Sequence, residues 1–114
     1  MNNTIDFEYD FKKLHCPNGH IFTTIRRDCK ENWEKYGDLI TTGADKFLIT
    51  LKGKPLFYAI LLNIQKFPSI EFMRVKLRWY DTDGSIPLLR NRYKEEPVLL
   101  LILRKVGKVK EAVK

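Results

Sequence analysis

The chain has 114 residues, 44% of them hydrophobic, and its 21 lysines and arginines against 14 acidic residues give a net charge of +7. This length suits one domain with one core, and the apolar content excludes a wholly disordered chain. No apolar stretch reaches the roughly 18 residues of a membrane helix, and residues 1–6 lack the basic and then apolar order of a secretory signal. We therefore expect one cytoplasmic domain over residues 1–114, without a membrane partner.

The first third of the chain predicts two strands and a short helix. Apolar and acidic residues alternate over residues 5–11, which is the period-2 pattern of a strand with one buried face. Pro-Asn-Gly at residues 17–19 predicts a turn, because Asn and Gly tolerate positive φ. Residues 21–25 are rich in β-branched side chains and predict a second strand. Residues 28–36 predict a helix that ends at Gly37.

The middle of the chain predicts an antiparallel hairpin. Residues 47–51 and 56–64 are apolar and β-rich, and Lys-Gly-Lys at residues 52–54 turns the chain between them. The second of these segments is a long apolar run, so we expect a central strand with both faces covered. A further short strand is expected at residues 39–41.

The last third predicts helices followed by a buried strand. Residues 69–80 fit a period-2 strand and also a helix capped by Ser69, so both readings stay open. Ser85 and Pro87 predict the start of another helix. Residues 98–103 predict a buried strand, and residues 107–114 a basic C-terminal tail that is frayed or weakly helical.

Several short strands with two or three helices between them predict an α+β or mainly β fold. A predominantly parallel, doubly wound sheet needs a regular alternation of strands and helices, which this sequence lacks. A small, mostly antiparallel β-barrel with short helices in its connections fits the order better.

Residues 19–26, Gly-His-Ile-Phe-Thr-Thr-Ile-Arg, followed by Gly-Asp at residues 37–38, resemble the ASCH family of the PUA-like superfamily. The motif of that family is G-x-K-x-x-E-x-R, with a variant that closes on Thr-Ile-Arg, and a Gly-Asp pair then leads into a barrel strand. Gly19 and Arg26 match at the family spacing, and residues 24–26 match the variant. The resemblance covers residues 14–106 and implies a PUA-like barrel.

Two positions depart from the family motif. Ile21 stands in place of the Lys, and Thr24 stands in place of the Glu. Members that resemble the full motif include amidohydrolases of acetylated cytidine, in which the Lys and Glu are catalytic. An apolar side chain cannot stabilise an oxyanion, and a threonine is a poor general base at neutral pH. The sequence therefore names no catalytic residue and favours a binding module over an enzyme.

The same segment has features of a nucleic-acid site. On a strand, Phe22, Thr24 and Arg26 point to one side, and they combine groups that stack on a base, donate to it and hold a phosphate. Gly19 allows a ligand to approach the backbone closely. We therefore expect RNA, or another single-stranded nucleic acid, to bind in a basic cleft beside Arg26. Further phosphate contacts are expected from Arg27, Lys30, Arg74, Arg78, Arg90 and Arg92.

Other functions stay open at this point. Arg26 can be an ordinary strand residue that pairs with Asp28, Asp38 or Asp83. The chain can also be a small hydrolase of a modified nucleoside or nucleotide, with Asp38 or His20 as its acid or base. A third alternative is a protein-interaction module of a larger assembly, in which the basic tail contacts an acidic partner.

The cysteines and histidines predict no metal site. Cys16 and Cys29 are the only cysteines, which fits a reducing compartment better than a disulfide framework. With His15 and His20 they form an incomplete ligand set, because a strong zinc signal has two closely spaced ligand pairs. We therefore expect neither a bound metal nor another cofactor, and zinc bound by Cys16, His20 and Cys29 stays open as the alternative.

Overall fold

The computed structural model describes residues 4–37 and 46–108. In this part the chain forms five strands and three short helices, together with 3₁₀ turns at Lys12–His15 and Ile70–Phe72. The elements in chain order are β1 (Thr4–Phe7), β2 (Ile21–Arg27), α1 (Lys30–Asn32, continued by a π turn over Trp33–Gly37), β3 (Lys46–Leu51), β4 (Lys54–Phe67), α2 (Val75–Asp81), α3 (Ile86–Tyr93) and β5 (Val98–Lys108).

The five strands form one mixed sheet in the order β1-β3-β4-β5-β2. β1 runs parallel to β3, and the other neighbouring strands are antiparallel. The sheet curls into a half-barrel, and its edge strands β1 and β2 are not paired with each other. The α+β class is therefore confirmed, but the expected barrel is not closed. We call the gap between β1 and β2 the seam.

Side chains explain why the barrel stays open at the seam. Three backbone carbonyls of β2 accept hydrogen bonds from side chains that lie outside the sheet. Alternate residues of a strand direct their backbone groups to the same edge, so these carbonyls share the edge away from β5. Because these carbonyls already accept hydrogen bonds from side chains, they do not need β1 as a hydrogen-bonding partner. The pairs are Thr23 O with Lys13 Nζ (2.8 Å), Ile25 O with Tyr93 Oη (2.6 Å) and Arg27 O with Asn32 Nδ2 (2.7 Å).

Two apolar clusters cover opposite faces of the sheet. The larger cluster includes Phe22, Phe57 and Leu101, and the smaller one packs Ile25 and Leu100 against the segment that contains the 3₁₀ turn and α3. β5 contributes alternate residues to both clusters. The six-residue apolar run at 98–103 is therefore a strand with two covered faces, as its composition predicts.

The predicted hairpin is confirmed, with one correction. β3 and β4 pair across a turn at residues 52–53, and β4 lies between β3 and β5. In β4, however, Phe57, Ala59 and Leu61 are buried while the residues between them are partly exposed. The prediction that both faces of this strand are covered is wrong, because the helices pack elsewhere.

The ambiguous segment at residues 69–80 is helical. Ser69 Oγ accepts from the Glu71 amide at 3.3 Å and caps the 3₁₀ turn, while α2 begins only at Val75. The helices predicted after Asp28 and Ser85 are also present. The strand expected at residues 39–41 lies outside the described residues, as does the tail from 109 to 114, whereas residues 107–108 belong to β5.

Candidate functional site

A cavity of about 120 Å³ lies in the seam. Both edge strands contribute to its walls, together with the 3₁₀ turn at Lys12–His15, the end of α2 and the last turns of α3. Two of the side chains that satisfy the β2 edge, those of Lys13 and Tyr93, also line the cavity. Its lining includes Phe7, Lys13, Thr24, Arg26, Asp81 and Arg92.

Arg26 crosses the seam from β2 toward β1. Its Nη2 donates to the backbone carbonyl of Asp6 at 3.0 Å, and its guanidinium carbon lies 5.1 Å from the centroid of the Phe7 ring. Its Nε is buried and has no hydrogen-bond partner among the described residues. Within residues 4–37 and 46–108, Arg26 also makes no ion pair with a carboxylate. The guanidinium is thus oriented by a neutral acceptor and an aromatic ring, and the Asp6 carboxylate attracts it from a distance without a direct ion pair.

The carboxylates expected to pair with Arg26 have other partners. Asp28 accepts from Trp33 Nε1 at 2.7 Å and lies 4.0 Å from Lys66 Nζ. Asp83 accepts from the backbone amide of Lys12. The third candidate, Asp38, lies outside the described residues.

A buried ion pair forms part of the cavity wall. Lys13 Nζ lies 2.7 Å from Asp81 Oδ1, and only 1% of the Lys13 side chain and 9% of the Asp81 side chain are exposed. The same ammonium donates to Thr23 O and lies 5.4 Å from the Phe7 ring centroid. Desolvation lowers the pKa of Lys13, and the nearby Asp81 carboxylate opposes that shift.

Of the strand residues predicted at the site, Thr24 joins Arg26 and two others do not. Thr24 is buried and lines the cavity. Phe22 is fully buried, and its ring packs edge to face on Phe57 with 5.7 Å between centroids, so it belongs to the core. Gly19 occupies a turn with a φ of +86° and is not part of the cavity lining. The cavity lining instead includes the ring of Phe7, which is 4% exposed and contacts the Arg26 guanidinium.

The other predicted basic residues are scattered, and most are already paired. Arg92 lines the cavity and pairs with Glu8, whereas Arg78 is buried and bound to Glu71. Arg74 is exposed and makes no ion pair within the described ranges. The remaining pairs are Arg27 with Glu96 (2.5 Å), Arg90 with Glu71 (2.9 Å) and Lys30 with Glu34 (3.9 Å).

The histidines and cysteines at residues 15–29 do not converge. His15 Nε2 lies 2.6 Å from Asp10 Oδ1, and Cys16 and Cys29 are free, half-buried thiols. Nowhere in residues 4–37 and 46–108 do three or more His, Cys, Asp or Glu side chains cluster closely enough to hold a metal ion. In the same part of the chain, no helix has the length and apolarity needed to cross a membrane.

A comparison of the chain with protein-family models, curated proteins and solved structures finds no match.

Proposed function

We propose that the protein binds RNA or another single-stranded nucleic acid, and that Arg26 receives a phosphate at the seam. One observation carries the proposal: a half-buried guanidinium lines a cavity without an ionic partner among the described residues, and its Nε lacks an acceptor. A buried donor without an acceptor is unfavourable, and a bound phosphate oxygen removes that penalty. The partial ASCH resemblance at Gly19 and residues 24–26 supports the same assignment.

The geometry around Arg26 suits an anion. A guanidinium presents its donors in a rigid fork that matches phosphate oxygens, and the Asp6 carbonyl and the Phe7 ring fix its orientation. Thr24 offers a hydroxyl in the same cavity, whereas the Arg92 guanidinium at the wall is already paired with Glu8. The cavity of 120 Å³ is well below the roughly 300 Å³ of small ligand pockets, so it suits a phosphate or a base edge while the rest of a strand lies outside.

The alternative functions lack comparable support. His20, one expected acid or base of a hydrolase, is exposed and does not line the cavity. Asp38 and the basic tail at residues 109–114 lie outside the described residues. The nucleoside hydrolase and the protein-interaction module stay as the rivals of nucleic-acid binding.

The test is a fluorescence-anisotropy titration of labelled single-stranded and hairpin RNA against the wild type and Arg26→Ala. A hydrogen bond to a charged group contributes about 1.5–3 kcal/mol, so we expect Arg26→Ala to weaken binding at least about tenfold. Arg104→Ala is the matched control, because Arg104 is an exposed arginine on β5 that does not line the cavity. Equal losses in both variants, or no binding near physiological salt, would contradict the proposal.

A further inference from the structure

The solvent face of α2 is unusually apolar for an exposed helix. Val75 and Trp79, one turn apart, are 58% and 56% exposed, and Phe72 in the preceding 3₁₀ turn is 69% exposed. The inward side carries two buried polar residues, Arg78 and Asp81, beside Leu77 and Tyr80, which pack against the core clusters. A surface helix normally directs its polar residues to water, so the two large apolar side chains that α2 leaves exposed depart from the usual pattern. We call Phe72, Arg74, Val75, Lys76 and Trp79 the α2 face.

Trp79 is held in position by the turn that follows the helix. A methyl group added to Gly84 would lie 2.9 Å from the indole nitrogen, so the ring packs closely against this glycine. The Gly84 amide also donates to Trp79 O at 2.7 Å. The indole is therefore packed at one side while more than half of the residue stays in water, which is what a stacking platform requires.

The cations of the α2 face are not neutralised within the described residues. Arg74 and Lys76 are exposed, and neither makes an ion pair in that part of the chain. The neighbouring acid Glu71 is already bound to Arg78 and Arg90, at 2.9 Å each. Exposed aromatic rings beside unpaired cations complement a chain of flat bases joined by phosphates better than they complement an apolar protein surface.

We propose that the α2 face stacks on bases of the single-stranded nucleic acid whose phosphate lies at Arg26, with Trp79 as the main platform. The inference rests on the proposed function and extends it to a second contact. α2 joins the two places, because Asp81 at its end lines the cavity and Trp79 lies two residues earlier on the other side. The helix is about 10 Å across, so one strand of a few nucleotides can reach both.

Tryptophan fluorescence gives a direct test, because Trp33 and Trp79 are the only tryptophans. Trp33 is half-buried and donates to Asp28. The Nζ atom of Lys66 lies 5.0 Å from the centroid of the Trp33 ring. We expect unlabelled oligouridine to quench Trp33→Phe, in which Trp79 alone emits, and to leave Trp79→Phe largely unquenched. The anisotropy titration gives the oligouridine concentration at which the protein is fully bound. A lack of quenching in Trp33→Phe at that concentration would overturn the inference.

Affinity provides the second readout. Stacking on one aromatic side chain contributes about 1–3 kcal/mol per base, so Trp79→Ala should weaken oligouridine binding about 5- to 150-fold, whereas Trp79→Phe should retain most of it. Leu62→Ala is the matched control, since Leu62 is an exposed apolar residue on β4, and it should bind like the wild type. Equal losses in Trp79→Phe and Trp79→Ala would overturn the stacking role.

The variants separate this inference from the proposed function. Loss of binding in Arg26→Ala with unchanged binding in Trp79→Ala would overturn base stacking on the α2 face and would leave phosphate binding at the seam supported. Loss in Trp79→Ala with unchanged binding in Arg26→Ala would support the α2 face and overturn the seam. Sedimentation of the free protein adds another outcome: self-association that Trp79→Ala abolishes would show that a second copy covers the α2 face, which overturns the inference.

Discussion

Lys13 and Asp81 form an ion pair that is almost entirely removed from water. Removal of one partner from such a pair leaves the other charge buried and unpaired, which lowers stability by about 3–5 kcal/mol. We expect this loss in the free energy of unfolding of Lys13→Met, measured by urea denaturation at neutral pH. The double variant Lys13→Met/Asp81→Leu carries no buried charge at these positions and should recover most of this loss, apart from the hydrogen bond from Lys13 to Thr23 O, which it also lacks. A double variant as unstable as the single one would contradict this account.

Single residues were predictable where the local pattern determines their direction, and not where burial depends on distant packing. The strand pattern places Arg26 and Thr24 on one side of β2, and the cavity brings them together. The same pattern places Phe22 on that side, but its side chain is buried in the larger apolar cluster and does not reach the cavity. The burial of Lys13 was not predictable from the sequence, because a lysine in a polar stretch has the same neighbours in sequence whether its side chain is exposed or buried. Its burial arises from contacts with Asp81, 68 residues away.

β1 is tied to the β3–β4 hairpin through the Asp6 carboxylate. Asp6 Oδ1 accepts from the Thr50 hydroxyl and, at 2.9 Å, from the Gly53 amide. These two hydrogen bonds lower the pKa of Asp6 below its ordinary value of 3.8, and the bond from Thr50 has the larger effect. The ionised form is thus favoured in the folded state. Its stabilising contribution is fully present above the unfolded pKa and is lost as the pH falls through the lower, folded pKa.

Asp6→Asn should therefore lower the melting temperature at pH 7, and the effect should shrink as the pH falls through the folded pKa and the wild-type carboxyl becomes protonated. Thermal unfolding followed by circular dichroism between pH 2 and 7 measures this difference. Because Asp6 is largely exposed, the change should be modest. Glu95→Gln is the control, since it removes the same charge from an exposed position without an ion pair in the described ranges. An equal response of both variants across this pH range would refute the role of Asp6.

Elements were predictable where one periodicity was clear. The hairpin, the buried β5 run and the helix after Ser85 follow from local patterns. Residues 69–80 fit both the strand period and the helix period. Tertiary packing decides between them, because Ile70 and Met73 are buried in the same cluster as Leu89. Closure of the barrel was also beyond local patterns, since it depends on which donors reach the outer edge of β2.

At the scale of the whole molecule, length and composition predict one domain with a positive surface, but not how many charges are available to a ligand. The net charge is +7, yet Arg27, Arg90 and Arg92 are paired with glutamates. The proposed interface depends on three of the cations that have no such partner in the described residues: Arg26, Arg74 and Lys76. The number of phosphates neutralised should therefore be well below the net charge.

The salt dependence of binding measures this number. Each phosphate neutralised on a single strand contributes about −0.7 to the slope of log K against log salt concentration, so three contacts predict a slope of about −2. Arg74→Gln/Lys76→Gln should reduce its magnitude by about 1.4, because two contacts are removed. Arg104→Gln/Lys54→Gln is the control, since it removes two exposed charges outside the cavity and the α2 face. Equal changes in both double variants would mean that binding follows total charge, with no defined path from the seam to α2.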